Sequence, residues 1–196
     1  VTIFLDLDSS GTLSAGDAST TTAANGTYGF LDLGPRAAGY IVREVLPATS
    51  TQTAPAGGSY TVTARSGEDV PGRDFGNFKN ITISGTKFDD KTGDGVTADD
   101  AAFGGVTIFL DLDNSGTLTA GDVSTTTAAN GAFSFPNLGP RAAGYRVREV
   151  VPANSTQTAP AGGSYLVTAL SGVDVTGRNF ANFLNFTVSG TKFDDQ

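Results

Sequence analysis

The sequence predicts an all-β protein made of repeated antiparallel β-sandwiches, and three observations lead to this prediction. First, the chain of 196 residues contains 26 glycines, and its Thr-, Val- and Phe-rich stretches are short. Asn-Gly, Gly-Pro and Gly-Gly sequences separate these stretches, as is typical of strands joined by tight turns. Second, polar and apolar residues alternate within several stretches, which indicates strands with one buried face. Third, most of the sequence occurs twice.

The duplication predicts the domain organisation. Residues 1–91 align with residues 106–196, and 70 of the 91 aligned positions are identical. Residues 81–185 are therefore predicted to be one complete β-sandwich repeat, and residues 1–80 a repeat that lacks its opening strand. Residues 186–196 match the opening strand of a further repeat. Two interpretations stay open: the chain is a window on a longer array, or this tail is donated to the first domain of a neighbouring molecule in a head-to-tail fibre.

Individual strands can be assigned within the complete repeat. Alternation or β-branched and aromatic content predicts strands at 81–88, 106–110, 144–152, 164–171 and 178–183, and a hairpin at 125–135 around Asn130-Gly131. About seven short strands separated by turns favour an antiparallel sandwich.

Composition limits the chemistry that the chain can perform. The sequence has no Cys and no His, so disulfides, zinc–thiolate sites and His-based acid–base catalysis are excluded. With 20 acidic and 12 basic side chains the net charge is -8, which argues against nucleic-acid binding. No apolar run is long enough to predict membrane insertion. The acidic side chains do, however, provide many oxygen ligands for a hard cation such as Ca²⁺.

A twelve-residue loop, DLDNSGTLTAGD at 111–122, has the ligand spacing of an EF-hand calcium loop. Calcium takes roughly six to eight oxygen ligands, which such a loop supplies at alternate positions around a Gly that permits the tight turn. Asp in the last position is one methylene shorter than the usual Glu. The predicted Ca²⁺ ligands are Asp111, Asp113, the Ser115 hydroxyl, the Thr117 carbonyl and Asp122, and in the first copy Asp6, Asp8, Ser10, Thr12 and Asp17.

A second acidic loop, DDKTGDGVTADD at 89–100, matches the same pattern less closely because Thr stands at its third ligand position. The predicted ligands are Asp90, Thr92, Asp94 and the Val96 carbonyl, with Asp99 or Asp100 completing the shell. The alternative for each loop is an ordinary solvated turn, because Asp, Asn, Ser and Gly favour turns for local reasons.

The chain resembles a known family of repeats through the stretches SGTKFDD, GDGV, GGVTIFLDLDNSGTL, STTTAANGAFSFPNLGP, GYRVREVVP and GRNFANF. They resemble the B-type repeat of bacterial serine–aspartate surface proteins and are similar to the B domains of collagen-binding adhesins and pilins. The resemblance covers residues 81–185 and, without the first strand, residues 1–80. It implies an immunoglobulin-like or transthyretin-like β-sandwich with calcium in its inter-strand loops. It also implies a rigid stalk or scaffold outside the bacterial cell.

Alternation further predicts that Lys87, Glu149 and Asn182 point into an apolar core. One interpretation is a buried ion pair between Lys87 and Glu149 that Asn182 joins by a hydrogen bond. The resemblance to adhesin and pilin domains implies another: an isopeptide crosslink in which Lys87 attacks the Asn182 amide beside a protonated Glu149. Asn179 is the alternative acceptor.

The first copy has the matching Glu44 and Asn77 but lacks the matching Lys. A donated tail would bring Lys192 to that position, and the bond would then join two molecules.

The function expected from the sequence is that of an extracellular, calcium-stabilised structural repeat at the bacterial cell surface. Its expected partners are copies of itself or neighbouring repeats, with no nucleic acid and no membrane insertion. The alternative is an adhesin or ligand-recognition module, for which the loops at 51–60 and 156–165 could contact partners. An enzyme is not expected, because no Ser–His, Cys–His or paired-carboxylate arrangement stands apart from the acidic loops.

Overall fold

The computed structural model describes residues 1–195, and within them all the regular secondary structure is β-strand. The all-β prediction is confirmed at this level. No helix in the described residues could cross a membrane. The chain divides into two compact units, Val1–Asn80 and the residues from Ile81 onward. Gln196, the last residue of the predicted tail strand, lies outside the described residues.

The first unit contains six strands in two antiparallel sheets. They are β1 (Thr2–Asp6), β2 (Ala18–Thr21), β3 (Tyr40–Glu44), β4 (Ser50–Ala54), β5 (Tyr60–Val62) and β6 (Gly76–Lys79). The larger sheet has the order β2-β1-β3-β5, and the smaller sheet pairs β4 with β6.

The second unit contains nine strands within the described residues. They are β7 (Ile81–Asp89), β8 (Ala101–Ala102), β9 (Thr107–Asp111), β10 (Val123–Thr126), β11 (Ala132–Leu138), β12 (Tyr145–Glu149), β13 (Ser155–Ala159), β14 (Tyr165–Val167) and β15 (Phe180–Leu184). One sheet has the order β10-β9-β12-β14, and the other has the order β11-β7-β15-β13 with β8 beside β7.

The apolar core of the second unit lies between these two sheets. Ile83 on β7, Val147 on β12 and Phe180 on β15 are each fully buried. The ring of Tyr165 on β14 meets the ring of Phe180 edge-on at a centroid distance of 5.5 Å, and this contact joins one sheet to the other. Two sheets that bury alternate residues against each other are consistent with a β-sandwich.

The connection around Asn130-Gly131 differs from the predicted hairpin. The turn is present: Gly131 has a φ of 73° and its N–H donates to the Ala128 carbonyl. However, β10 pairs with β9, and β11 pairs with β7, so the turn carries the chain from one sheet to the other. Local turn chemistry gives the change of direction, whereas each strand's partner depends on residues distant in the sequence. Strands β8 and β13 were not predicted from the sequence.

One pairing departs from the expected antiparallel arrangement. The first and last strands of the second unit, β7 and β15, run parallel, with Phe180 opposite Lys87 and Asn182 opposite Asp89. A parallel pair needs a long connection, and here the body of the unit supplies it. This pairing brings together side chains about a hundred residues apart, including those of Lys87 and Asn182.

The first unit has an open groove at the position that β7 takes in the second. Residues 27–33 match β11 in sequence but form no strand, and no strand of the first unit matches β7. The groove has a volume of about 1020 Å³ and exposes part of the unit's core, including Tyr28 and Phe30. The matching Phe133 and Phe135 are buried in the second unit. In the second unit these two residues lie on β11, which pairs with β7, whereas the first unit has no strand that matches β7.

Gly85 shows how closely β7 is packed. A Cβ atom there would lie 2.3 Å from the Arg178 carbonyl oxygen and 2.9 Å from the Phe133 ring. We expect Gly85→Ala to lower the free energy of unfolding of the second unit by about 1–3 kcal/mol, because the backbone carbonyl must move. Denaturant unfolding measures this change. The matched control is Gly121→Ala, in the same unit but with no atom within 4 Å of its added Cβ, and equal losses in the two variants would contradict the packing argument.

A buried Lys–Glu–Asn cluster and two acidic loops

Three polar side chains meet inside the second unit. Lys87 lies on β7, Glu149 at the end of β12 and Asn182 on β15, so both sheets contribute to the cluster. Their exposed fractions are 0%, 7% and 1%. Strand alternation places Lys87 on the same face as Ile81 and Ile83, which is why the amine enters the core rather than solvent.

The Lys87 amine contacts the Asn182 side chain directly. Lys87 Nζ donates a hydrogen bond to Asn182 Oδ1 and another of 3.0 Å to the Phe88 carbonyl. Glu149 Oε2 lies 3.4 Å from Lys87 Nζ, at ion-pair range. Both carboxyl oxygens of Glu149 and the Asn182 Nδ2 atom are buried without a hydrogen-bond partner of normal geometry among the described residues.

Burial changes the ionisation of both charged groups. It lowers the pKa of the Lys87 amine, although the negative charge of Glu149 acts in the opposite direction. It also raises the pKa of the Glu149 carboxyl, against the influence of Lys87. Both shifts favour the uncharged forms, because an apolar site stabilises a neutral amine and a neutral carboxylic acid better than two ions.

This arrangement contains the groups needed for amide exchange. A neutral amine is a nucleophile, and here it touches the oxygen of a carboxamide. A neutral carboxylic acid beside them can donate a hydrogen bond to the carbonyl oxygen as negative charge develops there. The same contacts would also occur in a buried, hydrogen-bonded ion pair, so the geometry supports both interpretations made from the sequence. The two differ in the protonation states of the Lys87 amine and the Glu149 carboxyl, which are neutral for amide exchange and charged in an ion pair.

Asn179 does not contact Lys87. Its Oδ1 accepts a hydrogen bond of 3.0 Å from the Thr86 N–H, and its carbonyl accepts one from the Tyr165 hydroxyl. Of the two Asn residues proposed as acceptor, Asn182 is the one that the strand register brings to the amine.

The first unit holds an incomplete version of this cluster. Asn77 Nδ2 donates to Glu44 Oε2 at 2.7 Å, while Glu44 Oε1 and Asn77 Oδ1 are buried without a partner among the described residues. Asn77 Oδ1 matches the atom that Lys87 contacts in the second unit.

The acidic loops bring carboxylates together at two places. Oxygens of Asp111, Asp113 and Asp122 lie within 4.8 Å of one another, and those of Asp6, Asp8 and Asp17 do the same. Each triad could hold a metal ion. The Ser115 hydroxyl donates to the Thr117 carbonyl oxygen at 2.9 Å, and Ser10 and Thr12 repeat this contact at the same distance. The predicted non-carboxylate ligands of each loop are therefore neighbours.

Backbone N–H groups orient the carboxylates of the second triad. Asp111 accepts from the N–H groups of Ser115 and Gly116 at 3.0 and 3.1 Å. Asp122 accepts from the N–H groups of Leu112 and Thr119, each at 2.8 Å. These bonds fix the turn that Gly116 makes at a φ of 82°.

Hydrogen bonds also lower the pKa values of Asp113 and Asp122 in the second triad and of Asp8 in the first. The side chain and then the N–H of Ser115 lower the pKa of Asp113, and the same groups of Ser10 lower the pKa of Asp8 to about 2. The N–H of Leu112 and then that of Thr119 lower the pKa of Asp122. Each triad thus presents negative charge at neutral pH, which a cation would offset.

Each triad has one arginine partner that the sequence did not predict. Arg148 Nε lies 2.7 Å from Asp111 Oδ2, and Arg43 Nε lies 2.8 Å from Asp6 Oδ2. Alternation places Arg148 on the face opposite Val147, but only the register of β9 against β12 shows that this face meets the acidic loop. One guanidinium against three carboxylates leaves each group with a net negative charge.

The loop at 89–100 is organised differently. Asp90 is buried and accepts from the N–H groups of Gly93 and Gly95 at 2.6 and 2.9 Å. Asp94 accepts from the hydroxyls of Thr92 and Thr97, while Asp100 accepts from the Thr97 N–H. The carboxylate triads found among the described residues do not include this loop. Metal binding at 89–100 stays a prediction with less geometric support than the other two loops.

Comparison with known proteins gives no further assignment. No model of a protein family matches the chain, and no curated protein matches it. The case for function therefore depends on the contacts described above.

Proposed function

We propose that this chain is an extracellular structural repeat module of a bacterial surface stalk or filament, stabilised by Ca²⁺ and by an internal isopeptide crosslink. Its repeats would be immunoglobulin-like or transthyretin-like β-sandwiches. The observation that carries the proposal is the contact of the buried Lys87 amine with the Asn182 amide, beside Glu149. A bond there would join the first strand of the unit to its last and would make the unit resistant to extension.

The crosslink would form in one balanced exchange. The neutral Lys87 Nζ attacks Asn182 Cγ, and Glu149 stabilises the carbonyl oxygen by donating a hydrogen bond. A proton passes from the attacking nitrogen to the departing Nδ2, so that ammonia leaves and a Lys–Asn amide bond remains. No oxidant, reductant or other co-reactant is required. The reaction would remove the unpaired Asn182 Nδ2 atom from the core and would replace the buried Lys87 amine with an amide N–H.

The two acidic triads support the metal part of the proposal. Their all-oxygen donor sets suit a hard divalent cation such as Ca²⁺, and the turn N–H bonds hold the oxygens near one another. Asp111, Asp113 and Asp122 would hold the ion in the second unit, and Asp6, Asp8 and Asp17 in the first. The ion would supply charge neutralisation and stiffen the loop between two strands.

Intact mass under denaturing conditions tests the crosslink. We expect the purified chain to be lighter than its sequence mass by one ammonia molecule for each bond formed, because amide exchange releases ammonia. Asn182→Ala should remove the deficit of one ammonia that the internal bond of the second unit causes. Asn179→Ala is the matched control and should keep the deficit, since Asn179 does not contact Lys87. A wild-type chain at its full sequence mass would refute the crosslink and leave the ion pair as the interpretation.

A further inference from the structure

The open groove of the first unit has the features of a strand-binding site. Apolar side chains of the unit's core, including Ile3, Val42 and Phe75, line it, and Leu31 at its edge is 84% exposed. In the second unit, β7 occupies the matching place and pairs with β11 along one edge and β15 along the other. Residues 27–33, the counterpart of β11, have no strand partner and form no strand.

The same chain carries a second copy of the β7 sequence. Residues 81–90 read ITISGTKFDD and residues 186–195 read FTVSGTKFDD, so only the first and third positions differ, and both remain apolar. Within the described structure this tail forms no strand, and Phe186 and Val188, which match the buried Ile81 and Ile83, are 76% and 85% exposed. Its apolar face is thus available for a groove that buries alternate residues.

The tail keeps the positions that a tight fit requires. In the second unit, Gly85 passes so close to the Arg178 carbonyl that no Cβ fits, and the tail has Gly190 at this position. The Thr82 N–H donates to Asp174 Oδ1 at 2.7 Å, and the first unit offers Asp69 for the corresponding Thr187.

Glu44 and Asn77 form a polar end of the groove that, within residues 1–195, has no amine beside it comparable to that of Lys87 in the second unit. Glu44 Oε1 and Asn77 Oδ1 are buried without a partner among the described residues, and Glu44 is 8% exposed. In the second unit the amine of Lys87 contacts the matching Asn oxygen. Aligning the tail with β7 puts Lys192 at this place.

We propose that residues 186–195 of one molecule add as a strand to the first-unit groove of a second molecule, where Lys192 forms an isopeptide bond with Asn77. The chemistry is that of the proposed internal crosslink, on which this inference rests. Lys192 Nζ bonds to Asn77 Cγ, the Cγ–Nδ2 bond breaks, ammonia leaves, and Glu44 assists by donating to the carbonyl oxygen. Repetition of this step links molecules head to tail in a covalent filament.

One contact must open before the strand can enter. The Tyr28 hydroxyl donates to the Arg73 carbonyl, which matches the Arg178 carbonyl that Gly85 approaches in the second unit. The incoming Gly190 would displace this hydrogen bond. Tyr28→Phe, which copies Phe133 of the second unit, should therefore speed the reaction without removing any reacting group.

Denaturing gel electrophoresis and intact mass of the full chain test the proposal. We expect a ladder of covalent multimers in which each junction is one ammonia lighter than the sum of its chains. Lys192→Ala and Asn77→Ala should each abolish the ladder. Lys87→Ala is the matched control: it removes the internal crosslink of the second unit but should leave the ladder, provided that the second unit remains folded by circular dichroism.

A labelled synthetic peptide, FTVSGTKFDD, provides a second measurement that does not depend on the fold of the tail. We expect it to become covalently attached to the Lys192→Ala chain at Asn77, and its Lys→Ala version to remain unattached. A single chain that closes on itself through Asn77 and Lys192 would overturn the assignment to a second copy. A chain with the internal ammonia deficit, no ladder and no peptide attachment would overturn this inference while leaving the proposed function intact.

Discussion

Glu149→Gln is expected to leave the second unit without its crosslink and to lower its free energy of unfolding by about 4–5 kcal/mol, the loss calculated for opening a closed loop of roughly 100 residues. Lys87 and Asn182 are 95 positions apart, so their bond would restrict nearly the whole unit when it is unfolded. Gln keeps the size of Glu149 but cannot supply a carboxylic acid proton to the reacting carbonyl. Intact mass reports the bond, and denaturant unfolding reports its contribution to stability.

Glu44→Gln is the matched control for this substitution. Glu44 takes the same place in the first unit, where Asn77 Nδ2 donates to Glu44 Oε2 and Asn77 Oδ1 has no hydrogen-bond partner among the described residues. We expect this variant to keep both the internal ammonia deficit and the stability of the second unit. If Glu149→Gln retained the full deficit, Glu149 would have no part in bond formation, and its buried carboxyl would need another explanation.

The sequence predicted side-chain direction better than strand pairing. Strict alternation in ITISGTKF placed Lys87 with Ile81 and Ile83, and the structure buries all three. Alternation depends only on the backbone's twofold period, so it can be read locally. The separation of β10 and β11 into different sheets, and the parallel pairing of β7 with β15, depend on contacts between distant segments, which no local pattern specifies.

The acidic loops show the same distinction. At 6–17 and 111–122 the spacing indicated which carboxylates would converge, because a twelve-residue turn is a local structure. At 89–100 the same reasoning predicted ligands that form no such triad among the described residues. Arg148 was missed because its contact with Asp111 arises from the register between two strands. Alternation favoured Asn182 over Asn179 as the inward-facing residue, and the pairing of the last strand with β7 is what places Asn182 at the amine.

Calcium is expected to raise the free energy of unfolding of both units, by about 2.7 kcal/mol per site when its concentration is a hundred times the dissociation constant. The gain arises because the three carboxylates of each triad converge only in the folded loop. A chelator should reverse it. Asp113→Ala should remove the gain in the second unit and Asp8→Ala in the first, since these exposed ligands take no part in the arginine pairs that hold Asp111 and Asp6.

Asp195→Ala, in the exposed tail, controls for the loss of one negative charge and should keep the full calcium effect.

The double variant Asp8→Ala with Asp113→Ala then isolates the loop at 89–100. Because Asp90 is held there by backbone N–H groups and belongs to none of the carboxylate triads found among the described residues, we expect little calcium stabilisation to remain. A remainder that Asp94→Ala abolishes would establish a third site in that loop. A wild-type chain equally stable with calcium and with chelator would contradict the metal proposal, and the triads would then be turns that their N–H bonds and arginine partners stabilise alone.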